Sequence, residues 1–451
     1  MLATSDNILA RDAATVWHPF MPEPWLGPKA VFTRGRGAHL FDEKGKSYYD
    51  ATSSWWCNTH GHCHPRLVEA LRRQAGELDQ MLFSPHTHPV AVELAEALIR
   101  KLGPPFEKVF FSDDGSTAVE AALKMALQYW RNRGHSRNEP RDRFLSVHLG
   151  YHGDTMGAVS VGFLDDFHRP FSPAKFEVEQ ATAPYCYRCP LGQQYPGCAE
   201  ACLDETERKL AEMGGRIAAL IVEPLVLGAG GMIAYPVSYL ERLTELAKRA
   251  GALVIFDEVF TGFGRTGTFF AMERCRHLPD IVCLSKGLTG GMIPLAVTAA
   301  SAEVYDAFRG GREKAFYHGH TFTANALGCA VARESLKVFE EEDVLTRNRK
   351  LEAVLASETP RFRDLPWVGE VRHLGMIWAL ELVMDRKSRL MPSPANGPGW
   401  KIAEKLWEQG VWIRPLNNVV YVLPPYCTTE SDLRDVLSML YSEVSKDEHF
   451  G

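Results

Sequence analysis

Asp257 and Lys286 are the two residues whose types and positions indicate chemistry most directly. Asp257 follows a short apolar run, Ala252 to Phe256, which is rich in branched residues and typical of a buried parallel strand. Lys286 follows a second run of this kind, Ile281 to Leu284. In open α/β sheets, ligands bind outside the carboxyl ends of the strands, so we expect both side chains to face one pocket.

A lysine and an aspartate in this arrangement suit pyridoxal phosphate (PLP). The lysine amine condenses with the aldehyde of the cofactor, and the aspartate keeps the pyridine nitrogen protonated so that the ring accepts electrons. A structural ion pair between the two side chains is the alternative that these residues alone leave open.

A phosphate-binding turn is predicted at Gly115 and Ser116. Lys108 to Phe111 is predicted to be a short strand, and the small residues that follow it lead into a helical pattern beginning near Val119. Backbone N–H groups and the helix dipole at such a turn bind phosphate. Ordinary capping of the helix by Ser116 is the alternative.

Two further strands end in residues of possible function. Phe144 to His148 is followed by Tyr151, an aromatic residue that can stack on a planar cofactor. Ala218 to Val222 is followed by Glu223, another carboxylate at a strand end. Strands and helices that alternate between residues 108 and 300 predict one large, mainly parallel sheet of α/β type.

The pattern changes near residue 340. Val371 to Met384 and Val411 to Leu423 alternate as strands do, with a helical pattern between them. We therefore predict that residues 1–75 form an N-terminal arm with hairpins, part of the small domain. Residues 76–340 form the large cofactor-binding domain, and residues 341–451 form a small C-terminal α+β domain.

The segment Gly262 to Gly267 satisfies the G-x-G-x-x-G pattern of dinucleotide-binding proteins. The true motif turns directly from a strand into a helix, with an acidic residue about twenty positions later. Here Asp257 and Glu258 already end the strand, and Thr268 to Phe270 is a poor helix start. A nicotinamide-dependent oxidoreductase is therefore disfavoured.

Composition limits the remaining classes of function. The 451-residue chain has a net charge of -6 and 45% apolar residues, as ordinary globular proteins have. That charge gives no reason to expect nucleic acid or anionic lipid as a partner. The sequence shows no apolar run of membrane-spanning length and no signal peptide, so we expect a cytoplasmic protein.

Ten cysteines in such a chain are expected to be mostly reduced thiols. Four of them have a spacing that could place thiolates around a zinc ion, namely Cys186, Cys189, Cys198 and Cys202. We interpret them as thiols and predict no metal, with zinc at these four residues as the alternative.

Trp55 and Trp56 lie in a loop rich in Ser, Asn and Gly, which suggests a pocket wall, and half-buried packing, the more common use of tryptophan, is the alternative. Three histidines at alternate positions follow the tryptophans. Their segment is irregular and has no carboxylate spaced to complete a metal site. We interpret them as loop residues: His60, His62 and His64.

The motifs together resemble the class III aminotransferases of PLP-dependent fold type I. At the level of the family, the resemblance is carried by Asp257-Glu-Val, Gly262-Phe-Gly-Arg-Thr-Gly267 and Ser285-Lys286-Gly. Within the family, the chain resembles more narrowly the aminotransferases that act in biotin biosynthesis. This narrower resemblance is carried by Trp17-His-Pro, Trp55-Trp56 and Trp412-Ile-Arg414-Pro. It covers essentially the whole chain.

This resemblance implies roles at the cofactor. Lys286 would hold PLP covalently and, once released, move the proton between the substrate carbon and the cofactor. Asp257 would pair with the pyridine nitrogen, and Tyr151 and Val259 would enclose the ring. The phosphate would be held by Gly115 and Ser116, with His320 close by. Thr321 of the partner subunit would also contact the phosphate, which implies a homodimer.

The resemblance also implies a substrate site. Its residues would be Phe20, Trp55, Tyr151, Lys286, Gly319, His320 and Arg414. Arg414 would bind the carboxylate of 8-amino-7-oxononanoate, because the planar guanidinium offers two parallel donors.

The implied activity is a ping-pong transamination that converts 8-amino-7-oxononanoate to 7,8-diaminononanoate. The amino donor is adenosylmethionine or lysine. Phe20 stands where members that use adenosylmethionine typically have a tyrosine, so the donor stays open. The alternative is another class III ω-aminotransferase that acts on diamines or β-amino acids.

Overall fold

The computed structural model describes residues 5–22, 29–135, 140–393 and 397–450. It divides into two units, and the larger of them contains a seven-stranded sheet. The larger unit contains Pro65–Glu352 and Arg372–Ile377. The smaller unit contains Met1–His64, Ala353–Val371 and Trp378–Gly451. The divisions fall after His64 and Glu352, whereas the sequence pattern places them after residues 75 and 340.

The seven-stranded sheet is mainly parallel, which confirms the predicted α/β class. Its strands lie in the order Phe106–Ser112, Ala296–Ser301, Ile281–Leu284, Leu253–Asp257, Ile217–Val222, Arg143–Val147 and Val178–Ala181. The last five of these run parallel, and Ala296–Ser301 is antiparallel to both of its neighbours. The three central strands are buried along their whole length, as expected for strands with both faces covered.

Helices connect these strands. Their bounds are Pro65–Ala75, Pro89–Leu102, Gly115–Asn132, Met156–Val161, Asp165–His168, Asp204–Met213, Val237–Arg249, Ala302–Asp306 and Ala326–Glu341. A further helix, Val344–Arg363, includes the division at residue 352. Gly115–Asn132 contributes the small buried residues Ala118 and Ala122 to the core, so its backbone packs closely on the sheet.

The smaller unit contains a four-stranded sheet built from both ends of the chain. Its strands lie in the order Phe32–Arg36, His39–Asp42, Ser47–Asp50 and Val411–Trp412. The first three are antiparallel, and Val411–Trp412 pairs in parallel with Ser47–Asp50. The unit's helices are Ser5–Thr15, Pro398–Glu408 and Glu430–Val444, with an irregular turn at Ser53–Trp56.

A three-stranded sheet has the order Val368–Leu374, Ile377–Leu382 and Val419–Val422. The alternating pattern from Val371 to Met384 therefore forms two strands, joined at Gly375. This glycine has φ +58, and a Cβ there would lie 2.3 Å from the carbonyl carbon of Thr266. Glycine is needed because both the backbone conformation and the space exclude a side chain.

No helix within the described residues is long and apolar enough to cross a membrane.

Candidate active site

The carboxyl ends of neighbouring parallel strands carry the predicted catalytic side chains. Asp257 is paired in register with Cys283 of the adjacent strand, and Lys286 follows three residues later. Glu223 and Tyr151 follow the next two strands of the sheet. The structure thus brings these groups to one edge, which is the arrangement that the strand ends predict.

Asp257 is held by a buried histidine that the sequence analysis missed. Nδ1 of His152 lies 2.7 Å from Oδ2 of Asp257, and both side chains are almost completely buried. The backbone N–H of Val259 donates to Oδ1 of Asp257 at 3.1 Å. Nε2 of His152 has no hydrogen-bond partner among the described residues. The only sequence signal for His152 is its place immediately after Tyr151 at a strand end.

Lys286 has a strained backbone. Its φ of +45 lies in the left-handed region, at the start of the short 3₁₀ turn Lys286–Thr289. Such a conformation costs a non-glycine residue about 1–3 kcal/mol and is concentrated at functional sites. The preceding residue is anchored, because Ser285 Oγ donates to the carbonyl of Leu295 at 2.9 Å. The amine of Lys286 lies 5.8 Å from the centre of the Phe260 ring.

The predicted phosphate turn opens the helix Gly115–Asn132. Asp114 caps this helix, since its carboxylate accepts from the backbone N–H of Thr117 at 2.9 Å. The alternative role of Ser116 as the cap is therefore wrong. The amides of Gly115 and Ser116 lie in the first turn, where N–H groups have no partner within the helix and are suited to an anion.

Ser116 and Gly115 have close neighbours at this turn. Oγ of Ser116 lies 2.8 Å from Oγ1 of Thr155 and accepts from the Thr155 N–H at 3.0 Å. A Cβ at Gly115 would lie 2.6 Å from Cγ1 of Val259, so these two residues pack against each other. Thr155 is a second residue that the sequence analysis missed, because spacing along the chain does not reveal this contact.

Tyr151 is fixed by three interactions. Its hydroxyl donates to Asp154 at 2.8 Å, its N–H donates to Glu223 at 2.9 Å, and its ring stacks on His168. Burial raises the pKa of the Tyr151 hydroxyl, and the charge of Asp154 raises it further. Burial also raises the pKa of Asp154, but hydrogen bonds from His168 and Tyr151 outweigh this effect and leave it below its usual value. The phenol therefore stays protonated beside a carboxylate.

Two buried carboxyl groups stabilise the loops that follow these strands. Glu223 accepts from the backbone N–H groups of Tyr151 and Gly228. Glu258 accepts from the backbone N–H groups of Ala271 and Met272. Burial raises the pKa of each carboxyl group to about 7.

His320 lies near the start of the helix Gly115–Asn132. Nδ1 of His320 is 3.8 Å from Oδ2 of Asp113, the residue before the helix cap. Gly319 and Thr321 lie on the same exposed loop. The carbonyl of Thr321 accepts from Gln80 Nε2 at 2.8 Å, which anchors the loop.

The predicted substrate residues Phe20, Trp55 and Arg414 meet within the smaller unit. The Phe20 ring contacts the Trp55 ring edge-on at 5.7 Å, and the Arg414 guanidinium lies 5.2 Å from the centre of the Trp55 ring. Trp55 and Arg414 line a cavity of about 1040 Å³. Other tryptophans in its wall are Trp17, Trp400, Trp407 and Trp412. The wall of this cavity is mainly apolar and aromatic, and Arg414 supplies a positive charge to it.

The glycine-rich segment Gly262 to Gly267 is a succession of turns and is not followed by an α-helix. It therefore lacks the structural context of a dinucleotide-binding motif.

The four clustered cysteines are close enough to influence one another. Burial raises the pKa of Cys202 to about 11, and the charges of Cys198, Cys189 and Cys186 also raise it. Within the described part of the chain, however, no three His, Cys, Asp or Glu residues are placed so that they could hold a metal ion. The structure therefore gives no support to zinc at these four cysteines.

The chain belongs to the class III aminotransferase family, because the family model "Aminotransferase class-III" matches residues 24–444. It is 44% identical to adenosylmethionine-8-amino-7-oxononanoate aminotransferase of Geobacter sulfurreducens over 427 residues, which is 94% of each chain.

Two solved structures extend this similarity. The crystal structure of adenosylmethionine-8-amino-7-oxononanoate aminotransferase from Methanocaldococcus jannaschii has a TM-score of 0.91 and 35% identity, with 97% of this chain and 99% of that chain covered. An amine transaminase from an uncultivated Pseudomonas species, in a PLP-bound form, has a TM-score of 0.91 and 35% identity, with 96% and 98% covered. The predicted fold type and family are confirmed.

Stability is expected to fall as the pH rises from about 4.5 to about 7. Glu223 and Glu258 keep their protons up to about pH 7 in the folded chain, against an ordinary value of 4.5. The folded state therefore holds more protons than the unfolded state in this interval, so the free energy of unfolding decreases with pH. Glu258→Gln, which has no proton to lose, should show a smaller fall in thermal midpoint across this range. An equal fall in the wild type and the variant would contradict this explanation.

Proposed function

We propose that the protein transfers an amino group to 8-amino-7-oxononanoate and so forms 7,8-diaminononanoate, a step of biotin biosynthesis. The observation that carries the proposal is the placement of Lys286 and the buried Asp257 at the ends of adjacent parallel strands. The similarity over 94% of the chain to an enzyme named for this substrate supports the choice of acceptor.

The residues at the sheet edge fit PLP. Lys286 supplies an amine, Asp257 supplies a buried carboxylate, and the first turn of Gly115–Asn132 supplies N–H groups suited to a phosphate. A Cβ at Gly115 would lie 2.6 Å from Cγ1 of Val259, so glycine lets this turn pack directly against the residue that would enclose the ring. These features support PLP as the cofactor of this chain.

When bound, PLP supplies an electron sink that stabilises negative charge at the substrate carbon. Nζ of Lys286 then serves as the base that takes the proton from that carbon and returns it. Asp257, which is bound by His152 and the Val259 N–H, would keep the pyridine nitrogen protonated. Tyr151 and Val259 would enclose the ring, and Asp154 and Glu223 hold Tyr151 in place.

Arg414 binds the substrate carboxylate in this proposal. Its guanidinium lies 5.2 Å from the centre of the Trp55 ring, and this cation–π contact limits the orientations of the planar N–H donors. The same indole would contact the alkyl chain of the substrate. Gly319 and His320 complete the set of substrate-binding residues carried by the family resemblance. The donor and the acceptor react in turn, as a ping-pong mechanism requires.

We propose that the protein works as a homodimer with a shared phosphate site. Thr321 has an exposed side chain, and the neighbouring Tyr317 and Phe322 are also exposed. Exposed aromatic residues beside a polar group are typical of an interface. Thr321 of the partner subunit would then contact the phosphate held by Gly115 and Ser116.

The amino donor is adenosylmethionine in the proposal, as the names of the relatives indicate. Lysine is the second candidate donor, because Phe20 lacks the hydroxyl that family members using adenosylmethionine typically carry at this position.

The proposal predicts a definite product. Purified protein with PLP, 8-amino-7-oxononanoate and either adenosylmethionine or lysine should form 7,8-diaminononanoate, measured by mass spectrometry. The Lys286→Ala variant is the control and should form none above background. If the wild type forms no diaminononanoate with any amino donor while it aminates other ketones, the activity is that of another class III ω-aminotransferase.

Replacing Arg414 should weaken binding of the carboxylated acceptor. Arg414→Ala is expected to raise the KM for 8-amino-7-oxononanoate about 10- to 100-fold, since a hydrogen-bonded charge pair is lost. Arg414→Lys keeps the charge but not the two parallel donors, so it should recover only part of the affinity. Steady-state kinetics measures both variants. An unchanged KM in Arg414→Ala would exclude this residue as the carboxylate ligand.

A further inference from the structure

The loop that carries Trp55 has an unusual backbone. Ser53, Ser54 and Trp56 have φ values of +50, +59 and +66, in the left-handed region that favours glycine. Such a conformation is strained for residues other than glycine and persists only where surrounding contacts enforce it. These contacts must therefore come from groups around the loop.

Asp50 supplies two of them. It is fully buried at the end of the strand Ser47–Asp50. Oδ1 accepts from the backbone N–H of Thr52 at 3.1 Å, and Oδ2 accepts from the backbone N–H of Ser54 at 2.6 Å. One carboxylate thus binds the loop at two points on either side of Ser53.

His62 completes the arrangement. Its Nε2 lies 2.9 Å from Oδ2 of Asp50, and its Nδ1 lies 2.8 Å from Nδ2 of Asn58. Because an amide nitrogen only donates, Nδ1 accepts and Nε2 carries the proton that is donated to Asp50. A neutral imidazole therefore satisfies the second lone pair of Oδ2 and fixes the orientation of the carboxylate.

The other anchors of the loop hold the residues next to Trp55. Ser53 Oγ donates to the carbonyl of Leu423 at 2.6 Å, and Trp56 Nε1 donates to the hydroxyl of Tyr421 at 3.0 Å. Trp55 lies between these anchors with 45% of its surface exposed, while Trp56 is buried. The loop conformation therefore directs one indole inward and presents the other to Arg414 and Phe20.

We propose that Asp50, oriented by His62, is a positioning residue that determines the affinity for the carboxylated substrate by holding the loop of Trp55 in its strained conformation. The inference rests on the proposed function, in which Trp55 and Arg414 bind this substrate. Without the carboxylate, the backbone N–H groups of Thr52 and Ser54 lose their acceptors, and the loop returns to an unstrained backbone that moves Trp55.

The test compares Asp50→Asn with a matched control, Asp42→Asn. Asp42 ends the neighbouring strand and likewise accepts from backbone N–H groups, those of Lys44 and Lys46 at 2.9 and 2.8 Å, but it does not hold the Trp55 loop. Asp50→Asn keeps the shape of the side chain while it replaces one acceptor oxygen by a donor. His62→Phe is a milder second variant, for use if Asp50→Asn does not yield folded protein.

Two measurements on the PLP-loaded protein decide the proposal. In the first, Asp50→Asn should raise the KM for 8-amino-7-oxononanoate about 10-fold with little change in kcat, and Asp42→Asn should leave both unchanged. In a double-mutant cycle with Trp55→Ala, the effect of Asp50→Asn should largely disappear, because both changes act through the same side chain. An effect of equal size in the Trp55→Ala background would overturn the proposal, since Asp50 would then act elsewhere.

The second measurement is hydrogen exchange of the peptide covering residues 51–58, which does not depend on the substrate. Exchange should be slow in the wild type and Asp42→Asn and fast in Asp50→Asn. Unchanged exchange in Asp50→Asn would overturn the proposal whatever the substrate is. Failure of the proposed function gives a different result: the wild type would form no diaminononanoate, while the exchange pattern would still report on Asp50.

Discussion

The structure of the sheet edge depends on one buried carboxylate, Asp257, placed at the end of a central strand. Burial of a carboxylate without partners is strongly unfavourable, so its surroundings must satisfy it. His152 and the Val259 N–H do this from one side, and both come from loops that directly follow parallel strands. The same loops carry Tyr151 and the contact between Val259 and Gly115. The need to satisfy Asp257 therefore also organises the surroundings of the cofactor.

The other groups follow from strand direction. Because neighbouring strands are parallel and in register, residues a few positions beyond each strand meet at one edge without long loops. Lys286 reaches this edge in a left-handed conformation. The two buried carboxyl groups, Glu223 and Glu258, bind backbone N–H groups of the loops and keep them ordered. In the smaller unit, Asp50 has a comparable role in holding the loop of Trp55.

The sequence predicted the parts of this arrangement that depend on local pattern. The apolar run Ile281 to Leu284 coincides with a strand, and the alternation of strands and helices predicted the mainly parallel sheet. The G-x-G-x-x-G segment was rightly set aside because no helix pattern follows it. These successes come from hydrophobic periodicity and from small residues at turns, which act over a few positions.

Contacts between distant segments were not predictable in this way. His152 and Asp257 are 105 positions apart, and His62, interpreted only as a loop histidine, lies 2.9 Å from the buried carboxylate of Asp50. The sequence offered Ser116 only as the alternative cap of Gly115–Asn132 and did not indicate Asp114, which caps this helix, while Ser116 bonds to Thr155. Side-chain pairs of this kind depend on the tertiary structure. The spacing of residues along a single sequence does not show which distant side chains come into contact.

The central claim is that Lys286 forms the covalent bond to PLP at the edge organised by Asp257. Its most direct test is reduction of the PLP-loaded protein with borohydride, followed by proteolysis and mass spectrometry of the lysine-containing peptides. The account predicts a pyridoxyl group on Lys286 and its loss from the Lys286→Ala variant. A label on a different lysine, or a folded wild-type protein that takes up no PLP, would contradict it.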